Sequence, residues 1–550
     1  MEKGERARNW ARQRVSLKLR LPLLRALRAW QNLRDSIPFH RVGELEFPVV
    51  ASVECPLKTT SDPAERMLEL GKIQNLRLIA RKLNGLVIPK DSVFSFWRQV
   101  GPLTRAGGYV PGRQIEAGCV VPAIGGGVCA LTNLLYEAAV KAGFEIVERH
   151  PHTVRPQGAN LNRPDATVAW NHLDLRIRHS ETWRLEVRLD SERLYVTLRS
   201  LGTVRPQKVL LPMWRPTAES CETCGEAGCE GKRMLVPYRA SSPIALLDSL
   251  RPEFAGMLTG TIILTGHRKL GSEFRTVKRA WWTGVRGALR QRQLAHQGAE
   301  RQKGLILGQR ELAAALAKLV PIEAEHLFVD GVLLPHLYKL GALGGRTYDV
   351  LLTRLPIASL HRVLDEAAKR YPERTSLADF RADRELVAAE TEALVGASRI
   401  YTAHAAVGEE FPARSELVPW PNSETPSWTP GKAILFPGPA IARKGAFEVR
   451  EVARRLGLPV ILLGRNLEAF EFWDGVELLP PGDEWLTGAA VLVQPAWIED
   501  RPLRLLSALA AGCPVVATSN CGLVSQKGLT LVPPGDPDAL EAAVRAAIDA

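Results

Sequence analysis

The chain has 550 residues, 46% of them apolar and 24% charged, with a formal net charge of +13. That length exceeds what one hydrophobic core serves, so about two to four domains are expected, and the composition excludes intrinsic disorder. The positive balance points to an anionic partner such as nucleic acid, acidic lipid, nucleotide-sugar or phosphorylated polymer, while eight cysteines are too sparse for a disulfide scaffold.

Residues 1–45 form a basic segment carrying Arg6, Arg8, Arg12, Arg14, Lys18, Arg20, Arg25, Arg28 and Arg34. Leu17, Leu21, Leu24, Leu27 and Trp30 recur in it at helical spacing. Such a helix either lies on an anionic membrane surface or docks on its own domain. No stretch reaches the roughly 18 apolar residues of a membrane span, and the charged N-terminus lacks the apolar core of a signal peptide. A cytoplasmic location is expected, with peripheral contact at the inner membrane face as the membrane reading.

Residues 46–205 read as an α+β domain. One clear helix starts near Val128 and runs through Leu131, Leu134, Leu135, Ala138 and Ala139 to Gly143. Strands are expected at Leu173–Ile177, Trp183–Leu189 and Leu194–Leu198. The run Gly125, Gly126, Gly127, Val128 puts Cys129 in the first turn of that helix, where the amide dipoles favour a thiolate. Three glycines let the backbone approach a ligand closely. His150, His152 and Asp165 follow, supplying the residue types that complete a thiol catalytic set of Cys129, His152 and Asp165. This order resembles papain-like and transglutaminase-like enzymes; the plain alternative is a structural cysteine beside a tight turn.

Several separated motifs of this domain resemble the VanW family, named for accessory proteins of vancomycin-resistance clusters. They are Ser92–Phe96, Val100–Gly101–Pro102, Gly108–Tyr109, Gly125–Cys129, Glu148–Arg149, His152 and Asp165–Val168, over about residues 85–200. The resemblance implies a cell-envelope context rather than a particular reaction. The glutamine that usually follows the cysteine is Ala130 here, and Leu131–Thr132–Asn133 also departs from the pattern.

Residues 206–236 are a cysteine-rich loop in which Cys221, Cys224 and Cys229 have C-x₂-C-x₄-C spacing. Three thiolates can share one zinc ion if Cys55, Cys119 or His267 adds a fourth ligand. An iron–sulfur cluster, a redox pair and reduced loop thiols are the alternatives.

Residues 237–420 read as an α/β lobe whose basic stretch Arg275–Arg310 includes Trp281 and Trp282. A solvated helix face with two buried tryptophans is expected there, and nucleic acid is disfavoured. From Glu325 onward, strands are expected at His326–Val329, Asp349–Thr353, Arg399–Thr402, Ala433–Phe436, Val460–Leu463, Val491–Gln494 and Val515–Thr518. Continuous apolar strands separated by helices indicate parallel sheets covered on both faces. The proline-rich piece Val418–Pro430 separates two such sheets.

Residues 421–550 form the last lobe, without G-x-G-x-x-G or a Walker A loop, so NAD and ATP are disfavoured. Gly438 follows the strand Ala433–Phe436, and Arg443–Lys444–Gly445 opens the next helix, an arrangement suited to a diphosphate. Glu499 and Asp500 follow the strand Val491–Gln494, where a carboxylate can accept from sugar hydroxyls. Together with Ala510–Ala517 and Val532–Pro537, these residues resemble the donor lobe of GT-B glycosyltransferases of the retaining group 1 family. The resemblance implies an acceptor lobe over 237–420 and a UDP- or GDP-sugar donor. It also implies that Gly438, Arg443 and Lys444 bind the diphosphate and Glu499 orients the sugar. The second glutamate of the family pattern, which usually holds the ribose, is Ser507 here.

The expected architecture is thus an α+β VanW-like module followed by doubly wound, Rossmann-like lobes in GT-B arrangement. The leading expectation is sugar transfer from a nucleotide-sugar to an envelope or surface acceptor. A thiol-dependent hydrolase or transferase acting through Cys129, and a scaffold whose sites have decayed, are the alternatives.

Overall fold

The computed structural model describes residues 20–33, 47–59, 63–116, 119–152, 163–202, 237–266, 277–293, 298–379, 381–421, 425–482 and 484–549. They fall into two compact units. The first comprises Met1–Ser241 with Val320–Glu325 and Lys339–Thr347; the second comprises Ser242–Leu319, His326–Tyr338 and Tyr348–Ala550.

In the first unit an antiparallel sheet has the strand order Val49–Pro56, Arg193–Ser200, Trp183–Leu189, Leu86–Ile88. Inward positions alternate along Trp183–Leu189 and Arg193–Ser200, so Trp183, Leu185, Val187, Leu194, Val196 and Leu198 enter the core. The helix Cys129–Ala142 packs on this sheet and ends at Gly143 in the left-handed region, as its sequence requires. A three-stranded sheet (Val93–Ser95, Arg176–Arg178, Glu145–Glu148) and the hairpin Pro111–Glu116/Cys119–Ile124 complete the unit.

Two expectations need correction here. The unit has a second, longer helix, Arg66–Leu83. Its apolar periodicity is obscured because Glu69, Lys72, Asn75 and Arg77 are themselves buried, each held by hydrogen bonds or ion pairs. The strand expected at Leu173–Ile177 lies at Arg176–Arg178, because Leu173 instead forms an isolated bridge with Ala169.

The N-terminal segment is helical over 20–33. Its Arg28 is buried and grips Glu148 through Nη1 to Oε2 at 2.6 Å, and also reaches the His172 carbonyl at 3.1 Å. Leu23, Leu27, Trp30 and Leu33 are each at least half exposed. The helix is docked on its own unit by one face and presents an apolar stripe on another.

The second unit holds two parallel sheets. The seven-stranded sheet has the order Val277–Arg279, Ile262–Thr265, Ile244–Leu247, His326–Asp330, Thr347–Leu351, Ile400–Thr402, Ser415–Leu417. The six-stranded sheet has the order Leu478–Leu479, Val460–Leu462, Ala433–Phe436, Ala489–Gln494, Val515–Thr518, Leu529–Val532. In both, the first strand in sequence is third from one edge and lies beside the fourth. Chain direction reverses across the sheet at that point, which is the doubly wound, Rossmann-like arrangement. Ala433–Phe436 and Val515–Thr518 are buried along their whole length, as expected of strands covered on both faces. In the basic stretch, helices run over Trp281–Gln293 and Gly298–Ala317. Trp282 is 63% exposed, which corrects the expectation of a buried residue there.

Candidate functional site

In an open parallel sheet the crevice beyond the carboxyl ends of the two central strands is left free for a ligand. In the six-stranded sheet the loop after Ala433–Phe436 carries Gly438, Arg443 and Lys444, and the loop after Ala489–Gln494 carries Glu499. The fold therefore brings the four sequence-predicted donor residues to one switch point.

Gly445, at φ +85°, ends the short turn Ala442–Lys444 and opens the helix Ala446–Leu456. A Cβ on it would lie 2.4 Å from the Pro495 carbonyl oxygen, so only glycine lets the two loops meet this closely. Lys444 Nζ donates to Glu499 Oε2 and to the Ile498 carbonyl, both at 3.0 Å. Glu499 Oε2 also accepts from Gln494 Nε2 at 2.6 Å, and Oε1 accepts from the Arg501 amide at 3.2 Å. The Glu499 carboxylate thus positions Lys444. The buried Nε of Arg443 has no hydrogen-bond partner, whereas the Arg443 carbonyl accepts from the Trp497 amide at 3.0 Å. A Cβ on Gly438 would meet only Gln494 and Lys444 at ordinary distances of 3.5 Å and more, so protein packing does not demand glycine there.

Arg443 and Lys444 open into a cleft of about 290 Å³ between the two sheets of this unit. Arg354, His336, His361 and Asp500 also line it. Arg354 is held by Glu390 at 2.7 Å. The lobes are joined beside the cleft: Tyr371 Oη donates to the Gly535 carbonyl at 2.6 Å, and Arg374 pairs with Glu448 while stacking on Tyr371. At the back, His404 contacts the Glu499 carbonyl at 3.0 Å through Nε2, and burial lowers the pKa of its ring. Sequence reasoning missed Arg354, His404 and Gln494. A polar residue ending an otherwise apolar strand was the available signal for Gln494. Ser507 lies half-buried in the helix Leu503–Ala510.

At the switch point of the seven-stranded sheet, Asp330 ends the strand His326–Asp330 and accepts from the amides of Val332 and Asp248, both at 3.2 Å. Burial, with the charge of Asp248 added, raises its pKa to about 6.

In the first unit the fold assembles Cys129, His152 and Asp165. His152 Nδ1 lies 2.6 Å from Asp165 Oδ1, and the His152 amide donates to Asp165 Oδ2 at 2.7 Å. Cys129 Sγ lies 3.6 Å from Thr167 Oγ1, and the charge of His152 acts on the thiol to lower its pKa. The strip bearing Asp165 is clamped to the start of the helix: Thr132 Oγ1 donates to the Ala166 carbonyl at 2.6 Å, and the Ala166 amide donates to Asn133 Oδ1 at 2.8 Å. These two residues are among those that depart from the VanW pattern, and they hold the site together. His150 stands apart from the set, 3.0 Å from Glu148.

The three glycines before Cys129 serve packing as much as ligand access. A Cβ on Gly126 would fall 2.2 Å from the Gly112 carbonyl oxygen, and one on Gly127 would fall 2.1 Å from Lys72 Cγ. The close approach is made by the chain itself. Cys221, Cys224 and Cys229 lie outside the described residues. Among the described residues no group of three or more His, Cys, Asp and Glu side chains is placed to hold a metal ion, and no helix is long and apolar enough to cross a membrane.

Comparison with known proteins agrees with this division. Residues 71–199 match the family described as VanW like protein, and residues 451–550 match the family described as Glycosyl transferases group 1. The chain therefore joins a VanW-like α+β region to Rossmann-like lobes, the last of which carries the glycosyltransferase group 1 match. Among curated proteins it is similar to the vancomycin B-type resistance protein VanW of Enterococcus faecalis, with 29% identity over 160 residues, 28% of this chain and 58% of that protein. It is also similar to the uncharacterized protein YoaR of Bacillus subtilis, with 34% identity over 105 residues, 19% of this chain and 34% of that protein. The chain thus spans less than two thirds of the length of each. Among solved structures, sucrose-phosphate synthase from Thermosynechococcus elongatus aligns with a TM-score of 0.40 and 15% identity over 56% of this chain and 90% of that one. A UDP-forming trehalose-phosphate synthase from Burkholderia vietnamiensis aligns with a TM-score of 0.35 and 12% identity over 56% and 90%.

Proposed function

We propose that the second unit transfers a sugar from a UDP- or GDP-sugar to an acceptor of the cell envelope or surface. The observation that carries this reading is the pairing of Arg443 and Lys444 at a helix start, facing the cleft at the carboxyl edge of the six-stranded sheet. Cationic donors there can neutralise the charge that develops on a departing diphosphate. The orphaned Nε of Arg443 is a donor in want of such an acceptor. In the transfer, the bond from the anomeric carbon to the diphosphate oxygen breaks, an acceptor hydroxyl oxygen bonds to that carbon with retained configuration, and the hydroxyl proton passes to the departing diphosphate. Glu499, held beside Lys444, is placed to accept from the sugar hydroxyls.

The envelope acceptor rests on similarity to a vancomycin-resistance protein. The exposed apolar stripe of the helix over 20–33, with arginines beside it, supports peripheral placement on an anionic membrane at its cytoplasmic face.

Calorimetric titration with UDP-glucose and GDP-mannose tests the reading. Lys444→Ala removes a charged hydrogen bond and should weaken binding by about 1.5–3 kcal/mol, roughly tenfold to a hundredfold. Glu499→Ala should weaken the intact donor more than the bare nucleotide. Ser507→Glu should tighten binding by restoring a ribose carboxylate. Absence of binding to wild type and to all three variants would sink the proposal.

A further inference from the structure

Cys129, His152 and Asp165 come from separate stretches of the first unit, and none of them belongs to the sugar-transfer cleft. We infer that they form a second active site, a thiol acyl-transfer centre taking an amide or ester carbonyl compound as acyl donor.

The geometry supplies each part. Asp165 engages His152 Nδ1 at 2.6 Å, which fixes the tautomer and leaves Nε2 for the thiol. The same carboxylate takes the His152 backbone amide at 2.7 Å, so the residue is held at ring and backbone. Arg149 Nε donates to the Asp165 carbonyl at 2.7 Å, steadying the strip from its other side. Cys129 opens a helix of 14 residues, whose first-turn dipoles favour negative charge on sulfur. The residue is half-buried, whereas Cys513 and Cys521 are buried.

Electrostatics separates this thiol from the others. Burial pushes the thiols of Cys55, Cys513 and Cys521 up. At Cys129 burial acts in the same sense, but the hydrogen bond and charge of His152, with the Val168 amide and Thr167 hydroxyl, reverse it and leave the pKa lowered. The His152 ring is correspondingly raised to about 10: burial opposes protonation, and Asp165 and Cys129 outweigh it. Asp165 is the charged group that acts on the pair from outside it.

The thiolate–imidazolium pair carries out a balanced reaction. Sγ attacks the carbonyl carbon and forms a carbon–sulfur bond. Collapse of the tetrahedral adduct breaks the bond to the amine or alkoxide, which leaves with the proton of His152 Nε2. Water or an amine then attacks the thioester and gives its proton to the neutral ring, and the thiolate departs. No oxidant, metal or nucleotide is required, so the site is independent of the proposed sugar transfer.

The test uses the full chain. Iodoacetamide alkylation, mapped by peptide mass, should find Cys129 reacting at pH 6 at least tenfold faster than any of the other seven cysteines. Its rate should stay flat from about pH 6 to 8, whereas an ordinary thiol gains rate over that range. With p-nitrophenyl acetate, one acetyl group per chain should appear on Cys129 with a matching burst of nitrophenolate. Cys129→Ser should abolish the burst. His152→Gln and Asp165→Asn should each slow it at least tenfold, and His152→Gln should restore the pH climb of an ordinary thiol. Acetyl groups scattered over the cysteines, or a Cys129 rate that rises with pH in the wild type, would overturn the inference. The wild-type pH profile decides even if a variant fails to fold.

Discussion

Asp330 ends its strand in a position that is 8% exposed, with two backbone amides and the carboxylate of Asp248 as neighbours. Its folded pKa, raised to about 6, lies above the ordinary carboxyl value near 3.9. The fold therefore favours the protonated form. The stabilising contribution is fully present below about pH 4 and is lost as the pH rises through about 6. Above that the ionised carboxylate costs up to about 3 kcal/mol. Asp330→Asn retains an acceptor oxygen for one of the two amides and removes the charge. It should melt several degrees above wild type at pH 7.5 and lose that advantage at pH 4, as read by calorimetry. An equal gain at both values would place its cause outside this titration. At the same scale, Asn75 ties the glycine run before Cys129 to the neighbouring hairpin. It is wholly buried, its Nδ2 donates to the carbonyls of Val110 and Gly126 at 3.0 Å each, and its Oδ1 accepts from the Val110 amide at 3.0 Å.

The helix over 20–33 illustrates an element with two unlike faces. Arg28 ties it to Glu148 and His172 of the first unit, and a partly buried pair of this kind resists solvent better than a surface salt bridge. The exposed Leu23, Leu27, Trp30 and Leu33 present apolar area that nothing in this arginine anchor explains. If they enter the headgroup region of an anionic bilayer, the full chain should float with vesicles containing phosphatidylglycerol. Replacing Leu27 and Trp30 by serine should weaken that binding about tenfold or more, since each large apolar side chain contributes about 1.5–3 kcal/mol on full burial. Unchanged flotation in the double variant would assign the stripe to another role. Added salt should also weaken binding, because the arginines act through a screened potential.

In the whole chain the two units are not simply consecutive. The first unit draws in Val320–Glu325 and Lys339–Thr347, segments that lie between strands of the second in sequence. Arg77, buried, donates through Nε to the Gly344 carbonyl; the Gly345 amide donates to the Asp190 carbonyl at 2.6 Å; and Arg66 pairs with Glu325. A fragment of residues 1–241 would retain Arg77 without that carbonyl. It should unfold at a lower urea midpoint than the front-unit transition of the full chain, by about 2 kcal/mol or more for the orphaned charged donor. Tryptophan fluorescence would follow both, and an equal midpoint would refute the dependence.

By itself the sequence determined the apolar strands and the placement of the chemistry along the chain. Ala433–Phe436 and Val515–Thr518 are legible because a strand covered on both faces must be apolar throughout. Cys129 is legible because a glycine run before an amphipathic stretch marks a helix start. Tertiary structure decided the rest. The helix Arg66–Leu83 hid behind polar residues whose burial is tolerable only once Gly126, Val110 and Gly344 arrive from elsewhere. The adjacency of Ala433–Phe436 and Ala489–Gln494, which makes the switch point, is a pairing between distant segments that no local pattern encodes. So too is the capture of Lys444 by Glu499, and of His152 by Asp165. Periodicity reports which face of an element is buried, because burial is a one-body property of each side chain. Which charges meet is a two-body property, and it exists only after the chain has folded.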